Sequence, residues 1–476
     1  MPLILPGNVG SATAATGFNV ANSCRFNDDD SAYMHKTPGG AGNRRTFTFS
    51  AWVKRGNLGA EMGIFTAGAD ANAGQFFTIM FTDADELNVQ FYEGGFQDLK
   101  TNRKFRDVSA FYNIIVAVDT TQGTEANRIK IYVNGTQESS FASSDYPTQN
   151  WDSAVNNTEI QQIGVRRNGS AALAGYYDGY IAEAVLIDAT QQANTDLGEF
   201  DSDSAIWKPI DVSGLTFGTN GFYLDFQASG NLGNDANGGT DLTEVNLAAT
   251  DQSTDTCTNN FCTINPLDNF YSGATFSEGN IKVSSARYAG VTSTFALTTG
   301  KWYFEYKCVS RSSTSGFVGI TSATATATNY EFGNQGGENV GYSVSLHNGS
   351  VYGNGGQVAA AGTFETIEGG DFGMVALDFD NNKIYYGKDG TWGNSQDPAN
   401  GTNALSIVAV TQGASGHWRI YVGGETNNAT VFEMNFGSPP YAISSGNTDG
   451  DGYGNFEYAV PSGYYALNTK NLAEHG

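Results

Sequence analysis

Clusters of Gly, Asn, Asp, Ser and Thr interrupt this chain about every eight to twelve residues, the spacing of turns in an all-β sandwich. No segment between them sustains a helical period. Several of the enclosed runs alternate with period two. In "RIKIYVNG", Ile129, Ile131 and Val133 take one face, and Arg128, Lys130 and Tyr132 take the other. Asn134-Gly135 then supplies the positive φ angles of a two-residue hairpin turn. Just upstream, "NIIVAVD" is apolar on both faces and reads as a central, covered strand.

The same sentence is written twice. "GMVALDFDNNKIYYGKDGTW", from Gly373 to Trp392, again runs from apolar residues ending in Asp, through a polar gap, to Ile-Tyr and a glycine turn. Here Asn381-Asn382 stands where a two-residue loop is expected, with Val375, Leu377 and Phe379 facing a core. Each half also closes on a similar strand: Phe222, Leu224 and Phe226 in "GFYLDF", and Phe432, Met434 and Phe436 in "VFEMNF". Two hairpins and two closing strands in 476 residues predict two sandwiches, 1–230 and 269–476. The polar segment 231–268 reads as the bridge between them. One short helix is expected, over "NTDLGEF" (Asn194–Phe200).

Charge narrows the partners. With 24 Lys and Arg against 49 Asp and Glu, the net charge is −25, which repels phosphate backbones and anionic lipid. Nucleic acid is therefore not an expected partner. No apolar run reaches the ~18 residues of a membrane span, so no membrane insertion is expected. The opening "MPLILPGNVG" lacks a signal-peptide core, which predicts a chain made in a cytoplasm. That compartment favours reduced thiols at Cys257 and Cys262 of "CTNNFC". The single, scattered His35, His347, His417 and His475 do not complete a zinc site.

Five patterns bear on chemistry. Retaining glycoside hydrolysis needs two carboxyls ~5–5.5 Å apart, and the nearest approach is "EFDSDS", with Glu199, Asp201 and Asp203. It lies in a polar connector, so a solvated acidic surface is the plainer reading. No Gly-x-Ser-x-Gly elbow is present, and "GNQGG" and "GNGGQ" lack the Lys and helix of a phosphate loop. "NTDGDGYGNFE" places Asn447, Asp449 and Asp451 at alternate positions before Gly452, as an EF-hand loop begins, but Glu457 comes one place early. "NDDDS" (Asn27–Ser31) and "GNDANGGTD" (Gly233–Asp241) are further oxygen-rich loops. Calcium is thus the one cofactor on offer, and none is required; the alternative is an Asx-rich turn that needs no metal. Finally, Trp151, Tyr330, Tyr352 and Trp392 lie in or beside turn-rich segments, where a sugar ring could stack or where an aromatic could cap an open core. Trp52 and Trp302, inside strand patterns, read as core.

"FTFSAWVKR", "IKIYVNG" and "GYIAEAVLID" resemble a concanavalin A-like, laminin G-type lectin domain. "GKWYFEYK", "GYSVSLHNGSVYGNG", "GMVALDFDNNKIYYGKDG" and "MNFG" look like a SPRY domain. The ends and the bridge, in "NSCRFNDDDSAYM", "GTNGFYLDF", "LGNDANG", "TNNFCTINPLD" and "PSGYYALNTKNL", are similar to a family of bacteriophage virion proteins common in marine phages. The resemblance spans essentially the whole chain. It implies two concanavalin A-like jelly-roll sandwiches in tandem on the surface of a virion. The role implied is a tail fibre or spike, or a capsid fibre or decoration, in contact with other virion proteins and a host cell-surface glycan. A homo-oligomer, a trimer by the habit of phage fibres, is implied with it. The family supplies no catalytic residues, so a non-enzymatic protein is expected; a polysaccharide-degrading hydrolase of concanavalin-like fold is the alternative.

Overall fold

The computed structural model describes residues 4, 17–70, 75–167, 172–270, 273–285, 289–311, 316–322, 341–353, 355–412, 415–424 and 429–476. Tyr330 and most of the segment around it lie outside these residues. The chain is all-β and divides into two compact units, with the boundary between Thr258 and Asn259.

In the amino-terminal unit two eight-stranded antiparallel sheets, counted among the described residues, face each other across one core. The first sheet centres on Tyr112–Asp119, Thr46–Arg55 and Gly179–Asp188. Ile114, Val116 and Val118 point into the inter-sheet core, as do Ile129, Ile131 and Val133. Ile115 points the opposite way, into a second apolar layer with Trp52, Val185, Leu197, Trp207 and Phe217. The strand is apolar on both faces because the connector after Asp188 folds back over the sheet. The turn also follows the sequence. Val133 pairs with Thr136, leaving the two-residue loop Asn134 (φ 48) and Gly135 (φ 74). Gly135 has a further reason to be glycine, since a Cβ there would lie 2.1 Å from the Trp207 ring.

The carboxy-terminal unit repeats the plan with, among the described residues, a seven-stranded and a nine-stranded sheet. Lys301–Ser310 pairs with both Phe372–Asp378 and Thr430–Asn435 at the centre of the larger one. Val375, Leu377 and Phe379 are buried between the sheets with Phe432, Met434 and Phe436. Met374 and Ala376 face outward and are covered by Phe456, Tyr464 and Ala466.

Two elements differ from their expected form. The second hairpin pairs Asp378 with Lys383, so its loop is four residues, 379–382, not Asn381-Asn382 alone. Phe379 is drawn into the core, and Asp378 accepts from the Asn381 backbone N–H at 3.0 Å, which closes the longer turn. The expected helix Asn194–Phe200 is a single 3-10 turn, Asn194–Asp196, followed by a strand residue pair, Glu199–Phe200, set against Trp207–Lys208.

The polar segment 231–268 is divided between the two units at Thr258 and Asn259. Thr243–Val245 and Gln252–Ser253 add strands to the two sheets of the amino-terminal unit, while Ile264–Phe270 is a strand of the carboxy-terminal unit. Its polarity has a different origin. Lys54, buried on its strand, reaches Asp255 at 2.8 Å, and Arg25 donates to the Thr250 carbonyl at 2.7 Å. Buried cations need such partners. Ile4, assigned by sequence to the first domain, instead pairs with Phe295 in the carboxy-terminal unit. Among the described residues no helix is long and apolar enough to cross a membrane.

Candidate functional site

The carboxy-terminal unit holds a small recess, partly open to solvent. Its floor is Tyr306, Val344 and Tyr386, from three strands of the two sheets. Phe364 and Ile367, from the loop between Gly356–Ala359 and Phe372–Asp378, form a wall. That loop is pinned rather than draped. The Phe364 N–H donates to the Gly349 carbonyl at 3.1 Å, and the Ile367 N–H donates to Leu346 at 2.9 Å. Gly349 (φ +66) permits this approach, because a Cβ would lie 1.8 Å from the Phe364 carbonyl oxygen. The Phe364 ring meets Tyr386 edge-on at 5.7 Å.

The rim is polar. Lys388 donates to the Thr366 carbonyl at 3.0 Å and pairs with Asp371 at 2.7 Å. Despite partial burial, Asp371 is held below the ordinary carboxylate value by Lys388 and the Glu368 N–H. Burial pushes both Tyr306 and Tyr386 far above the ordinary phenol value, so each is a neutral hydroxyl. Among the described lining residues, Glu365 is the one carboxylate. The arrangement sets aromatic side chains beside polar groups at a solvent-facing recess.

Of the aromatics singled out by sequence, the three described ones, Trp151, Tyr352 and Trp392, do not line this pocket. Trp151 is core, 9% exposed, with its ring 5.0 Å from Phe91. Tyr352 packs at 6.3 Å on Phe317. Trp392 lies between lining residues Thr391 and Gly393, but its ring packs on Tyr303, on the outer face of the sheet. Tyr330 lies outside the described residues. The sequence reading missed Phe364 and Tyr386. The signal was an isolated Phe in the turn-rich "AAGTFETIEGG".

Asn447, Asp449 and Asp451, of the calcium reading, each hydrogen-bond within the fold. Asp449 is 7% exposed, and one of its oxygens accepts from the Asp451 and Tyr453 N–H groups at 3.0 and 2.9 Å. The other accepts from the Ala466 N–H and the Asn471 amide at 2.9 and 2.7 Å. Asp451 turns to His475 at 2.7 Å, and Asn447 donates to the Glu457 carbonyl at 3.1 Å. These oxygens serve the fold. Among the described residues no three His, Cys, Asp or Glu side chains gather to hold a metal.

"EFDSDS" is equally occupied. Asp201 caps its own turn through the Ser204 and Asp203 N–H groups, and Lys208 bridges Glu199 and Asp201 at 3.2 Å each. The Ser204 hydrogen bonds, then Lys208, lower the Asp201 carboxyl to about 2.

Residues 28–191 match the Concanavalin A-like lectin/glucanases superfamily, as Laminin_G_3. The match falls within the amino-terminal unit and covers the strands quoted above for that resemblance. No curated protein matches the chain. Among solved structures, the SPRY domain of human HERC1 is 13% identical with a TM-score of 0.28, over 36% of this chain and 96% of that one. A putative carbohydrate binding protein from Bacteroides ovatus is 18% identical with a TM-score of 0.34, over 48% of this chain and 58% of that one. Domain 4 of AbnA, a GH43 extracellular arabinanase from Geobacillus stearothermophilus, in complex with arabinotriose, is 17% identical with a TM-score of 0.25, over 32% and 65%. At such values no ligand or activity passes from these proteins to this chain.

Proposed function

We propose that this chain is a non-enzymatic surface protein of a bacteriophage particle, a compact tail or capsid appendage that attaches to a host cell-surface glycan. The observation that carries the reading is the pocket of the carboxy-terminal unit. It has aromatic walls, neutral phenols and a lysine paired with Asp371. The family match of residues 28–191 supports a lectin-type role, and the whole-chain resemblance to phage virion proteins supports its place on a particle.

Two experiments test this. An antibody to the chain should label purified particles at one structure, capsid or tail, in negative-stain micrographs; unlabelled particles would remove the virion role. The purified chain should bind host cells without releasing reducing sugar from their polysaccharide. Sugar release abolished by Glu365→Gln would instead favour the glycoside hydrolase.

A further inference from the structure

The recess of the carboxy-terminal unit is built to a size. Tyr306, Val344 and Tyr386 belong to the inter-sheet core, as do Phe364 and Ile367 of the covering loop. Glycines let these rings close in. A Cβ on Gly393 would lie 2.5 Å from the Phe364 ring, and one on Gly373 would overlap the Tyr306 phenol. What remains open takes a substituent of a few heavy atoms and not a sugar ring. Val344, Phe364 and Ile367 make its apolar side.

The polar groups divide into those already engaged and those left open. Lys388 has its counter-ion in Asp371 at 2.7 Å and donates to the Thr366 carbonyl at 3.0 Å, so the rim does not call for an anion. The Tyr386 hydroxyl donates to the Tyr342 carbonyl at 3.4 Å. The Tyr306 hydroxyl, by contrast, makes no hydrogen bond among the described residues. The recess opens to solvent and Tyr306 lines it, so a ligand reaches that side chain through the opening. Glu365 also lines the recess; it is exposed and accepts no hydrogen bond among the described residues. The recess thus offers a methyl-sized apolar side, one open donor within and one open acceptor at its mouth.

We infer that this recess takes the acetamido group of a 2-acetamido-2-deoxyhexose. The methyl lies among Val344, Phe364 and Ile367, the carbonyl accepts from the Tyr306 hydroxyl, and the N–H donates to Glu365. The sugar ring stays outside. A plain hexose carries hydroxyls but no apolar group small enough to enter, and hydroxyls buried against Val344 and Ile367 would lose their water without a partner. A carboxylated sugar would meet Glu365, a like charge, while Lys388 is already held by Asp371. The inference rests on the glycan reading proposed above and names the sugar class of the same site.

The test uses the full chain with the methyl glycosides of N-acetylglucosamine, N-acetylgalactosamine and N-acetylmannosamine, read by calorimetry and saturation-transfer NMR. At least one should bind, with the strongest transfer to its acetyl methyl protons. The same sugar with a free amine, or with a butanoyl group in place of acetyl, should bind at least tenfold more weakly. Tyr306→Phe should weaken binding about fivefold or more with an unchanged melting temperature, since one neutral hydrogen bond is removed. Glu365→Ala should weaken it too, and Phe96→Ala, at an exposed ring of the other unit, should leave it intact. Failure of all three sugars, binding that ignores the acyl group, or binding that ignores Tyr306→Phe overturns the inference. Equal binding of N-acetylalanine methylamide would make the recess a peptide site and overturn it as well. Host-cell binding that survives Tyr306→Phe while the sugars fail would sink this inference and leave the attachment role standing. Sugar binding lost in Tyr306→Phe with no host-cell binding at all would do the reverse.

Discussion

Each unit buries one glutamate on the outer face of a central strand, and the two are treated differently. Glu305, on Lys301–Ser310, accepts from the Tyr458 and Glu457 N–H groups at 2.8 and 3.0 Å, from the Tyr303 hydroxyl at 2.8 Å and from the Asn435 amide at 3.4 Å. Glu183, on Gly179–Asp188, receives the Tyr223 hydroxyl, at 2.9 Å from both oxygens. It also sits at the bulge between Ala182 and Val185 with φ 49, a conformation strained for a non-glycine residue. Burial raises both carboxyls, and it takes Glu183 to about 8. Backbone N–H donors favour the charged form, while one phenol cannot offset the lost hydration. Burial alone does not decide what a carboxylate is; the donors around it do. Glu305 is a clamp for the covering segment at Glu457–Tyr458, and Glu183 is a neutral acid under the connector of its unit.

The largest effect should come from pH. In the unfolded chain Glu183 ionises near its ordinary 4.5, and in the folded chain near 8. Stability from this group is full below about 4.5 and is lost as pH rises through about 8, because only the unfolded chain gains the charge in between. The difference, 8 − 4.5, sets a ceiling of about 5 kcal/mol. Scanning calorimetry at pH 5 and pH 9 should show the wild type losing stability and Glu183→Gln losing much less. Equal losses would mean that Glu183 is already hydrated or paired.

Next in size is Glu305→Ala. It strands two backbone N–H groups and a phenol, and should cost about 3 kcal/mol or more in urea unfolding at pH 7. A cost below about 1 kcal/mol would make Glu305 a bystander. The two tyrosines sharpen the contrast. Tyr223→Phe should cost about 1–2 kcal/mol and Tyr303→Phe less, since Glu305 keeps its other donors. The reverse order would break the comparison.

The smallest effect concerns Asp449, which resembles Glu305 in having its oxygens filled by N–H donors. Calcium at millimolar concentration should raise the melting temperature no more than NaCl of equal ionic strength. A larger calcium increment that disappears in the Asp449→Asn, Asp451→Asn variant would restore a metal site.

Much of this was legible in the sequence. The covered strand Asn113–Asp119, the Asn134-Gly135 turn and the outward Lys130 and Tyr132 follow from period two and from the glycine's φ. The second hairpin was misread by two residues because Phe379 has a hydrophobic reason to enter the core, which turn propensity does not see. The segment 231–268 reads as a bridge because it is polar, yet Asp255 within it is buried against Lys54. The buried glutamates left a trace, a lone charge in "YIAEAVLID" and in "WYFEYKCV", but such a trace does not say which donors will surround it.

The candidate sites were legible only in part, for the same reason. Trp151 and Trp392 stood beside turns as a sugar-stacking residue would, and the fold turned both rings onto other aromatics. Composition and alternation are local, set within a few residues along the chain, so the sequence by itself determined an all-β chain, its main strands and its acidic surface. Which polar groups meet depends on residues far apart in the chain: Glu305 with Tyr458, Lys54 with Asp255, Phe364 with Tyr386. Hydrogen bonds and pockets need specific distances between such residues, and only the tertiary structure decided those.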